Sequence, residues 1–246
     1  MKVFYFSATG NSLHVAGSLG GETVSVSRCL RSGNLTFEDD VAGFVFPVHF
    51  GHIPPPMLSF MERVQLQAGY VFVVSTYGHV PGNVNHAAVS MLRRRGLPAI
   101  YSCSLPMVDN YLPSYAVEDE IALLPKKHVT ERLAAIVNDI KAHRMRPAPQ
   151  NFLSAAVSLA ERLINYKNVC RKFLITEACN SCGTCAKVCS QHNVSVMSGR
   201  QPVFGLDCIS CMACINLCPQ CAIHLKKERS AMRWRHPAIR LEQLFQ

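Results

Sequence analysis

The chain has 246 residues, 49% of them hydrophobic and 17% charged, which is typical of a folded globular protein and excludes a disordered one. Its formal net charge of +9 would suit a nucleic-acid partner, but the basic residues are scattered, apart from Arg93–Arg95 and a stretch that begins at Lys226. We therefore favour solvated helix faces and an acidic protein partner, with no nucleic acid. Neither a signal peptide nor an apolar run of the ~18 residues that span a membrane is present, so we expect a cytoplasmic protein.

Residues 1–142 alternate short apolar runs with helical patterns, which is typical of a parallel sheet covered by helices on both faces. The predicted strands are Lys2–Phe6, Thr23–Val26, Val41–Pro47, Tyr70–Ser75 and Ala99–Cys103. The predicted helices are Ser12–Leu19, Pro55–Val64, Asn83–Arg95 and Glu118–Lys141. This alternation predicts an α/β fold with an open, doubly wound parallel sheet of five strands in the order 2-1-3-4-5.

The helical pattern stops near Arg146, and Phe152–Leu174 is predicted to form a connecting helix. A cysteine-rich block follows, and Glu228–Gln246 has the pattern of a short amphipathic tail. We therefore predict four parts along the chain. They are a first domain over 1–145, a connecting helix within 146–174, a small α+β domain over 175–227 and a tail over 228–246.

Nine of the twelve cysteines fall within positions 170–221, in tight C-x₂-C spacing, which favours metal ligation in a reducing compartment over disulfides. The block repeats C-x₂-C-x₂-C-x₃-C twice, and the copies begin at Cys179 and Cys208. Bacterial ferredoxins with two [4Fe–4S] clusters have this spacing, and the fourth cysteine of each copy ligates the other copy's cluster. The first cluster would take Cys179, Cys182, Cys185 and Cys218, and the second would take Cys208, Cys211, Cys214 and Cys189.

A structural zinc site is the alternative, but zinc usually takes its four ligands as two C-x₂-C pairs, which two triplets fit poorly. Gly183 falls where a positive φ would suit the turn, and backbone N–H groups there can donate to cluster sulfurs. Ser190 stands where the second copy has Pro219, a change that can alter local rigidity and potential without removing a ligand. The remaining cysteines are predicted to be small apolar fillers: Cys29, Cys103, Cys170 and Cys221.

A polar loop follows the first predicted strand and opens the first helix. It consists of Ser7, Ala8, Thr9, Gly10, Asn11 and Ser12. Its hydroxyls, its amide, a flexible glycine and the free N–H groups of a helix N-terminus predict a phosphate cradle without a lysine. The loop matches neither GxxxxGK nor GxGxxG, which disfavours ATP and dinucleotides. An ordinary capped turn is the alternative.

Two further loops, rich in glycine, proline and aromatic residues, follow the third and fourth predicted strands. The second loop contains Pro47, Val48, His49, Phe50 and Gly51, and the third contains Thr76, Tyr77, Gly78, Gly82 and Asn83. In a sheet of order 2-1-3-4-5, FMN binds outside the carboxyl ends of the strands, at the switch between strands one and three. Tyr77 is the first choice for packing on the isoalloxazine, with Phe50 and His49 behind it. Each of the three could instead fill the core.

The chain resembles the family of anaerobic flavodoxin–ferredoxin fusions over about residues 1–225. The motifs that carry the resemblance are Ser7-Ala-Thr-Gly-Asn-Ser12, Pro47-Val-His-Phe-Gly, Tyr77-Gly-His-Val-Pro-Gly82 and the eight cysteines. The resemblance implies a flavodoxin-like sheet domain, a small ferredoxin-like domain, one FMN, two [4Fe–4S] clusters and electron transfer. This chain has His49 where we expect a tyrosine in the second loop.

These cofactors predict an iron–sulfur flavoprotein that passes electrons between the clusters, FMN and a redox partner protein. A flavin takes up two electrons and releases them singly, while a cubane carries one. The alternative is an FMN-dependent reductase of a small substrate, fed by the clusters. His49, His52, His79 and the Asp109-Asn110-Tyr111 loop could then move protons or orient the substrate. A third hypothesis makes the clusters structural and the protein a regulator or binding module.

Overall fold

The computed structural model describes residues 1–148 and 169–246. Its strands are β1 (Lys2–Tyr5), β2 (Glu22–Ser25), β3 (Thr36–Glu38), β4 (Val41–Pro47), β5 (Gln65–Gln67), β6 (Tyr70–Tyr77), β7 (Ala99–Pro106), β8 (Phe173–Ile175), β9 (Val194–Ser195), β10 (Val203–Phe204) and β11 (Ile223–Leu225). Its helices are α1 (Asn11–Ser18), α2 (Val26–Ser32), α3 (Pro55–Arg63), α4 (Val84–Arg94), α5 (Val117–Ala122), α6 (Leu124–Lys127), α7 (Val129–Lys141), α8 (Thr184–Lys187) and α9 (Ala213–Asn216). Short 3₁₀ turns occupy Val169–Lys172 and Leu241–Leu244.

The described chain divides into two compact units. The sheet unit comprises Met1–Ser7, Asn11–Met107 and 124–148, and the cysteine unit comprises Ala8–Gly10, Val108–Leu123 and 169–246. Each predicted domain was one continuous stretch of sequence. In the structure, Ala8–Gly10 and Val108–Leu123, which lie within the predicted first domain, group with the cysteine unit. Most of the predicted connecting helix Phe152–Leu174 lies outside the described residues. Where the structure does describe it, at 169–174, a 3₁₀ turn and the start of β8 replace the predicted helix.

Five strands of the sheet unit form one sheet in the order β2-β1-β4-β6-β7, and every pairing between them is parallel. Counted along the chain without the two short strands β3 and β5, this is the predicted order 2-1-3-4-5. Strands β4 and β6 are buried along nearly their whole length, because valine and phenylalanine dominate them and both of their faces are covered. The parallel direction places the loops after β1, β4 and β6 at one edge of the sheet.

Three features of the fold were not predicted. Strands β3 and β5 form a separate parallel pair, and the helix α2 follows β2 directly. The predicted single helix Glu118–Lys141 is divided into α5, α6 and α7. Pro125 lies inside this stretch and cannot donate a helical hydrogen bond, and His128 adopts a left-handed φ of 47° before α7 begins. The amphipathic stripe therefore continues across a backbone that is interrupted twice.

The cysteine unit contains two copies of one small fold. The first copy contains β8, α8 and β9, and the second contains β10, α9 and β11. Strand β8 pairs antiparallel with β11, and β9 pairs antiparallel with β10, so each small sheet joins strands of different copies. Among the described residues, no helix has the length and apolarity needed to cross a membrane.

Gly43 in β4 generates a prediction about sheet packing. It is paired with Phe72 of β6, and a Cβ atom at Gly43 would overlap the buried Phe72 ring. We expect Gly43→Ala to lower the free energy of unfolding by about 1–3 kcal/mol, as measured by urea denaturation, because the ring must move. The control is Gly17→Ala in α1, where a Cβ has open space. It should stabilise the chain by up to about 1 kcal/mol. Equal effects of the two substitutions would contradict this account.

Candidate functional site

The two cysteine-bearing copies share their backbone conformation at several corresponding places. Residues at corresponding places, 29 positions apart in sequence, adopt left-handed φ angles. The pairs are Ser181 (58°) with Ser210 (59°), Gly183 (74°) with Met212 (60°), and His192 (49°) with Cys221 (46°). The positive φ expected at Gly183 is therefore confirmed. Alternation of right-handed and left-handed residues turns successive N–H groups inward, and such concave backbone binds anions, including iron–sulfur clusters.

Backbone N–H groups donate to several of the cysteine sulfurs. Asn193 N donates to Cys189 Sγ at 3.3 Å, and at the corresponding place in the second copy Ala222 N donates to Cys218 Sγ at 3.4 Å. Ser210 N likewise donates to Sγ of Cys208, at 3.3 Å. Hydrogen bonds of this kind stabilise negative charge on sulfur and tune the potential of a cluster that the sulfur ligates.

Four predicted ligands from both copies line one cavity. They are Cys189 of the first copy and Cys208, Cys211 and Cys214 of the second. Most of the other side chains that line this cavity are apolar, and they include Phe173, Val194, Phe204, Ile209 and Met212. The fourth cysteine of the first copy therefore lines the same cavity as the first three cysteines of the second copy.

The remaining four predicted ligands also include one cysteine from the other copy. They are Cys179, Cys182 and Cys185 of the first copy and Cys218 of the second. Burial raises the pKa of the Cys185 thiol to about 11, and negative charge on Cys218, Cys182 and Cys179 adds to this effect. Cys218 thus acts on the first copy, although it belongs in sequence to the second. Cys182 is exposed, and its pKa is lowered, chiefly by the hydroxyl of Thr184, which lies 3.4 Å from its Sγ.

Three of the thiols around the cavity, those of Cys189, Cys211 and Cys214, resist ionisation. Burial raises the pKa of Cys211 to about 12 and that of Cys214 well above its ordinary value, and charge on neighbouring cysteines adds to both shifts. Burial also raises the pKa of Cys189. A buried thiol gives up its proton only where positive charge compensates, and bound metal supplies such charge. This donor set therefore fits a group that carries several iron ions.

The thiols are not gathered around a single point. Across both described stretches of the chain, no three His, Cys, Asp or Glu side chains lie as close together as one metal ion requires. A cubane separates its four thiolates by iron and sulfide atoms, so it needs a wider spacing than one zinc ion with its ~2.3 Å bonds to sulfur. The cavity lined by four cysteines is compatible with that wider spacing.

The four other cysteines behave in two ways. Cys29, Cys103 and Cys170 are buried, as expected of small apolar fillers. Cys221 is exposed, so its prediction as an apolar filler is wrong. Its left-handed φ places it in the turn after Cys218, where the chain curves at the surface.

Inside the sheet unit, parts of the three predicted flavin loops are bonded to one another. Ser12 Oγ and Thr76 Oγ1 lie 2.8 Å apart, and Val48 N donates to Thr76 O at 2.7 Å. The second and third loops also meet through their glycines, since a Cβ on Gly82 would lie 3.7 Å from Gly51 O. The structure therefore brings these loops together at the carboxyl edge of the sheet.

The aromatic residues predicted to contact a flavin differ in exposure. Tyr77 and Phe50 are half-buried, and His49 is buried. The rings of His49 and Phe50 pack edge to face, with centroids 4.8 Å apart. Ser7 and Asn11 are buried at the two ends of the first loop. Tyr77 and Phe50 are thus the two predicted aromatic residues at this edge that remain partly accessible.

The tip of the first loop, Ala8–Gly10, belongs to the cysteine unit and is bonded there. Thr9 Oγ1 accepts from Asn110 Nδ2 at 2.9 Å, and Thr9 O accepts from His236 N at 2.9 Å. Gly10 has a φ of 103°, and a Cβ on it would lie 3.0 Å from the Cβ of His236. The C-terminal segment therefore approaches Gly10 closely. No local pattern in the sequence signals this contact.

Asn216 joins three segments of the cysteine unit. It is buried in α9, between Cys214 and Cys218 in sequence. Its Nδ2 donates to Asn110 O at 3.2 Å and to Met212 O at 3.0 Å, and its Oδ1 accepts from Trp234 N at 3.0 Å. One amide side chain therefore links a helix that adjoins two cysteines, the Asn110 loop and the C-terminal segment. Sequence reasoning gave no role to Asn216.

This link can be tested by substitution. Asn216→Ala would leave Trp234 N and Asn110 O without the bonds that Asn216 now makes, which costs about 1–3 kcal/mol for a buried group. We expect faster hydrogen exchange at the Trp234 amide and a less stable C-terminal segment. Gln243→Ala is the control, since Gln243 bonds only an exposed amide of Arg240 nearby. Unchanged exchange at Trp234 in Asn216→Ala would show that the link does not hold the segment.

Comparison with protein families matches residues 171–219 to a 4Fe-4S dicluster domain. The matched segment contains all eight cysteines of the two copies. A search of curated proteins finds no match to this chain. Residues 171–219 are therefore similar to a domain that binds two 4Fe–4S clusters, and this similarity supports iron–sulfur electron transfer by an α/β protein with a five-stranded parallel sheet.

Proposed function

We propose that this chain is an electron-transfer iron–sulfur flavoprotein that passes electrons between two [4Fe–4S] clusters and FMN. The observation that carries the proposal is the cavity lined by Cys189 together with Cys208, Cys211 and Cys214. Each cubane, when bound, supplies reversible transfer of one electron. A reducing cytoplasm is part of the same proposal, since unprotected thiolates and clusters persist there.

The protein's own groups would hold each cluster and set its surroundings. The second cluster would be held by the four cysteines of the cavity, and the first by Cys179, Cys182, Cys185 and Cys218. The N–H groups of Asn193 and Ala222 would stabilise the negative charge on the sulfurs of Cys189 and Cys218, respectively. The apolar side chains of the cavity would exclude water. Exclusion of water strengthens each of these hydrogen bonds.

The first cluster is the better candidate for exchange of electrons with a partner. Cys182 is exposed, whereas the cysteines of the second set are each partly enclosed. The positive charge of Lys187 acts on Cys182 and is among the causes that lower its pKa. An acidic partner would be attracted to this basic surrounding, and complementary charge raises association rates. A redox protein with an acidic docking face is therefore the partner that we propose.

FMN is proposed for the carboxyl edge of the sheet, where ligands bind in doubly wound sheets of this strand order. The loop from Ser7 to Ser12 would hold the phosphate, because its donors are neutral hydroxyls, an amide and backbone N–H groups. The loops from Pro47 to Gly51 and from Thr76 to Asn83 would flank the ring. The bonds among Ser12, Val48 and Thr76 support a preformed site at this edge.

Cofactor content tests the proposal directly. After anaerobic purification, we expect about eight irons, about eight acid-labile sulfides and about one FMN per chain, because two cubanes and one flavin site are proposed. Iron and sulfide assays and flavin released by acid measure these contents. Stoichiometric zinc, or four irons without flavin, would contradict the proposal.

Substitution of single cysteines tests whether each copy's fourth cysteine ligates the other copy's cluster. We expect Cys189→Ala to impair the cluster held by Cys208, Cys211 and Cys214, and Cys218→Ala to impair the other cluster, because each exchanged thiol faces the other copy. Electron paramagnetic resonance of the reduced variants distinguishes the two clusters. Cys221→Ala is the matched control and should keep both, since Cys221 is exposed. A Cys189 variant that loses only the first-copy cluster would overturn the assignment.

A further inference from the structure

The two copies of the cysteine motif differ at the residue that follows the fourth cysteine. The second copy continues Cys218 with Pro219, whereas the first continues Cys189 with Ser190. The surrounding backbone nevertheless keeps the same conformation in both copies, including the left-handed residues His192 and Cys221. The difference is therefore one of chemistry at a structurally equivalent place: one copy has a hydroxyl and the other has none.

The Ser190 hydroxyl is buried without a partner. Among the described side chains, its Oγ is one of a few enclosed polar atoms that have no hydrogen-bond partner. Buried hydroxyls are nearly always bonded, because an unpaired one loses its bonds to water and gains nothing in return. An enclosed hydroxyl without a protein partner therefore indicates a partner that is not part of the polypeptide.

The position of Ser190 indicates which partner this is. Ser190 lines the same cavity as Cys189, Cys208, Cys211 and Cys214. The remaining lining is largely apolar, and its three polar side chains, those of Gln191, Asn193 and Ser210, make no hydrogen bond to the Ser190 hydroxyl. The sulfurs that gather in this cavity, those of the cysteines and those of a bound cluster, are the acceptors that the surroundings would provide.

We propose that the Ser190 hydroxyl donates a hydrogen bond to a sulfur of the second cluster and thereby raises the reduction potential of that cluster. The inference rests on the cluster ligation proposed above. Reduction adds one negative charge to the cluster, so a donor to sulfur stabilises the reduced form more than the oxidised form. Pro219 offers no such donor at the equivalent place, so this bond would be made at the second cluster, whereas the first cluster has the Thr184 hydroxyl, 3.4 Å from Cys182 Sγ.

The proposal gives the two clusters different tasks. Electrons that enter at the first cluster, beside exposed Cys182, would move to the second more favourably because the Ser190 hydroxyl raises its potential. The enclosed second cluster would then hold the electron away from solvent. The Ser190 hydroxyl would thus favour the internal step.

The test is a redox titration of the full chain with both clusters assembled, followed by electron paramagnetic resonance. The second cluster is identified as the one impaired in Cys189→Ala. In Ser190→Ala we expect its reduction equilibrium constant to fall about threefold, which is roughly 30 mV for a one-electron couple. The first cluster should keep its potential. Ser190→Thr should keep the original potentials of both clusters, because threonine retains the hydroxyl.

A control variant and a second measurement separate donation from a structural effect. Ser181→Ala removes a hydroxyl of the first copy that donates to Arg200 O, so it should leave the second cluster's potential unchanged. After exchange into D₂O, electron–nuclear double resonance of the reduced second cluster should show a deuteron coupling that Ser190→Ala lacks. If the potential shifts while the coupling remains, Ser190 acts only through packing and the proposal is wrong.

The outcomes also distinguish this inference from the proposed function. If the unaltered chain binds two cubanes but Ser190→Ala changes neither the potential nor the deuteron coupling, the hydroxyl is not a donor and only the inference fails. If the unaltered chain does not bind about eight irons, the ligation itself fails and the inference fails with it.

Discussion

The burial of thiols that must ionise is the constraint on which the cysteine unit depends. Burial raises the pKa of Cys185, Cys211 and Cys214, so without metal these groups favour the protonated form. The secondary structure around them is slight, with strands of two or three residues and helices of four. So small a fold gains little from its own apolar core, and bound metal can contribute much of its folding free energy. Under the proposed ligation, the need to neutralise thiolates would govern both the stability and the chemistry of this unit.

The sheet could be predicted from the sequence because its strands are local, apolar and bounded by turns. The runs at Val41–Pro47 and Tyr70–Ser75 appear in the structure as buried central strands of the predicted order. The positions of β3 and β5 could not be predicted, since three mostly polar residues carry no periodicity. The division of Glu118–Lys141 was missed because the apolar stripe continues through Pro125 and His128.

The site was predictable to the extent that its chemistry is local. Cysteine spacing identified the eight thiols and the turn at Gly183, because a short motif fixes its own backbone. The bonds of Thr9 to Asn110 and His236 join residues about 100 and more than 200 positions apart, and no local pattern reports such contacts. Asn216 was overlooked for the same reason, since a lone asparagine between two cysteines has no signature of its own.

The exchange of strands between the two copies has a consequence for biosynthesis. Because β8 pairs with β11 and β9 with β10, the first copy has no complete strand pairing until the second has been made. The cysteines from Cys179 to Cys218 span roughly forty residues, which a ribosome adds in about 2–8 s at about 5–20 residues per second. During that interval the first copy lacks the strand partners that the second copy supplies. Neither small sheet pair can therefore be complete before synthesis has passed β11.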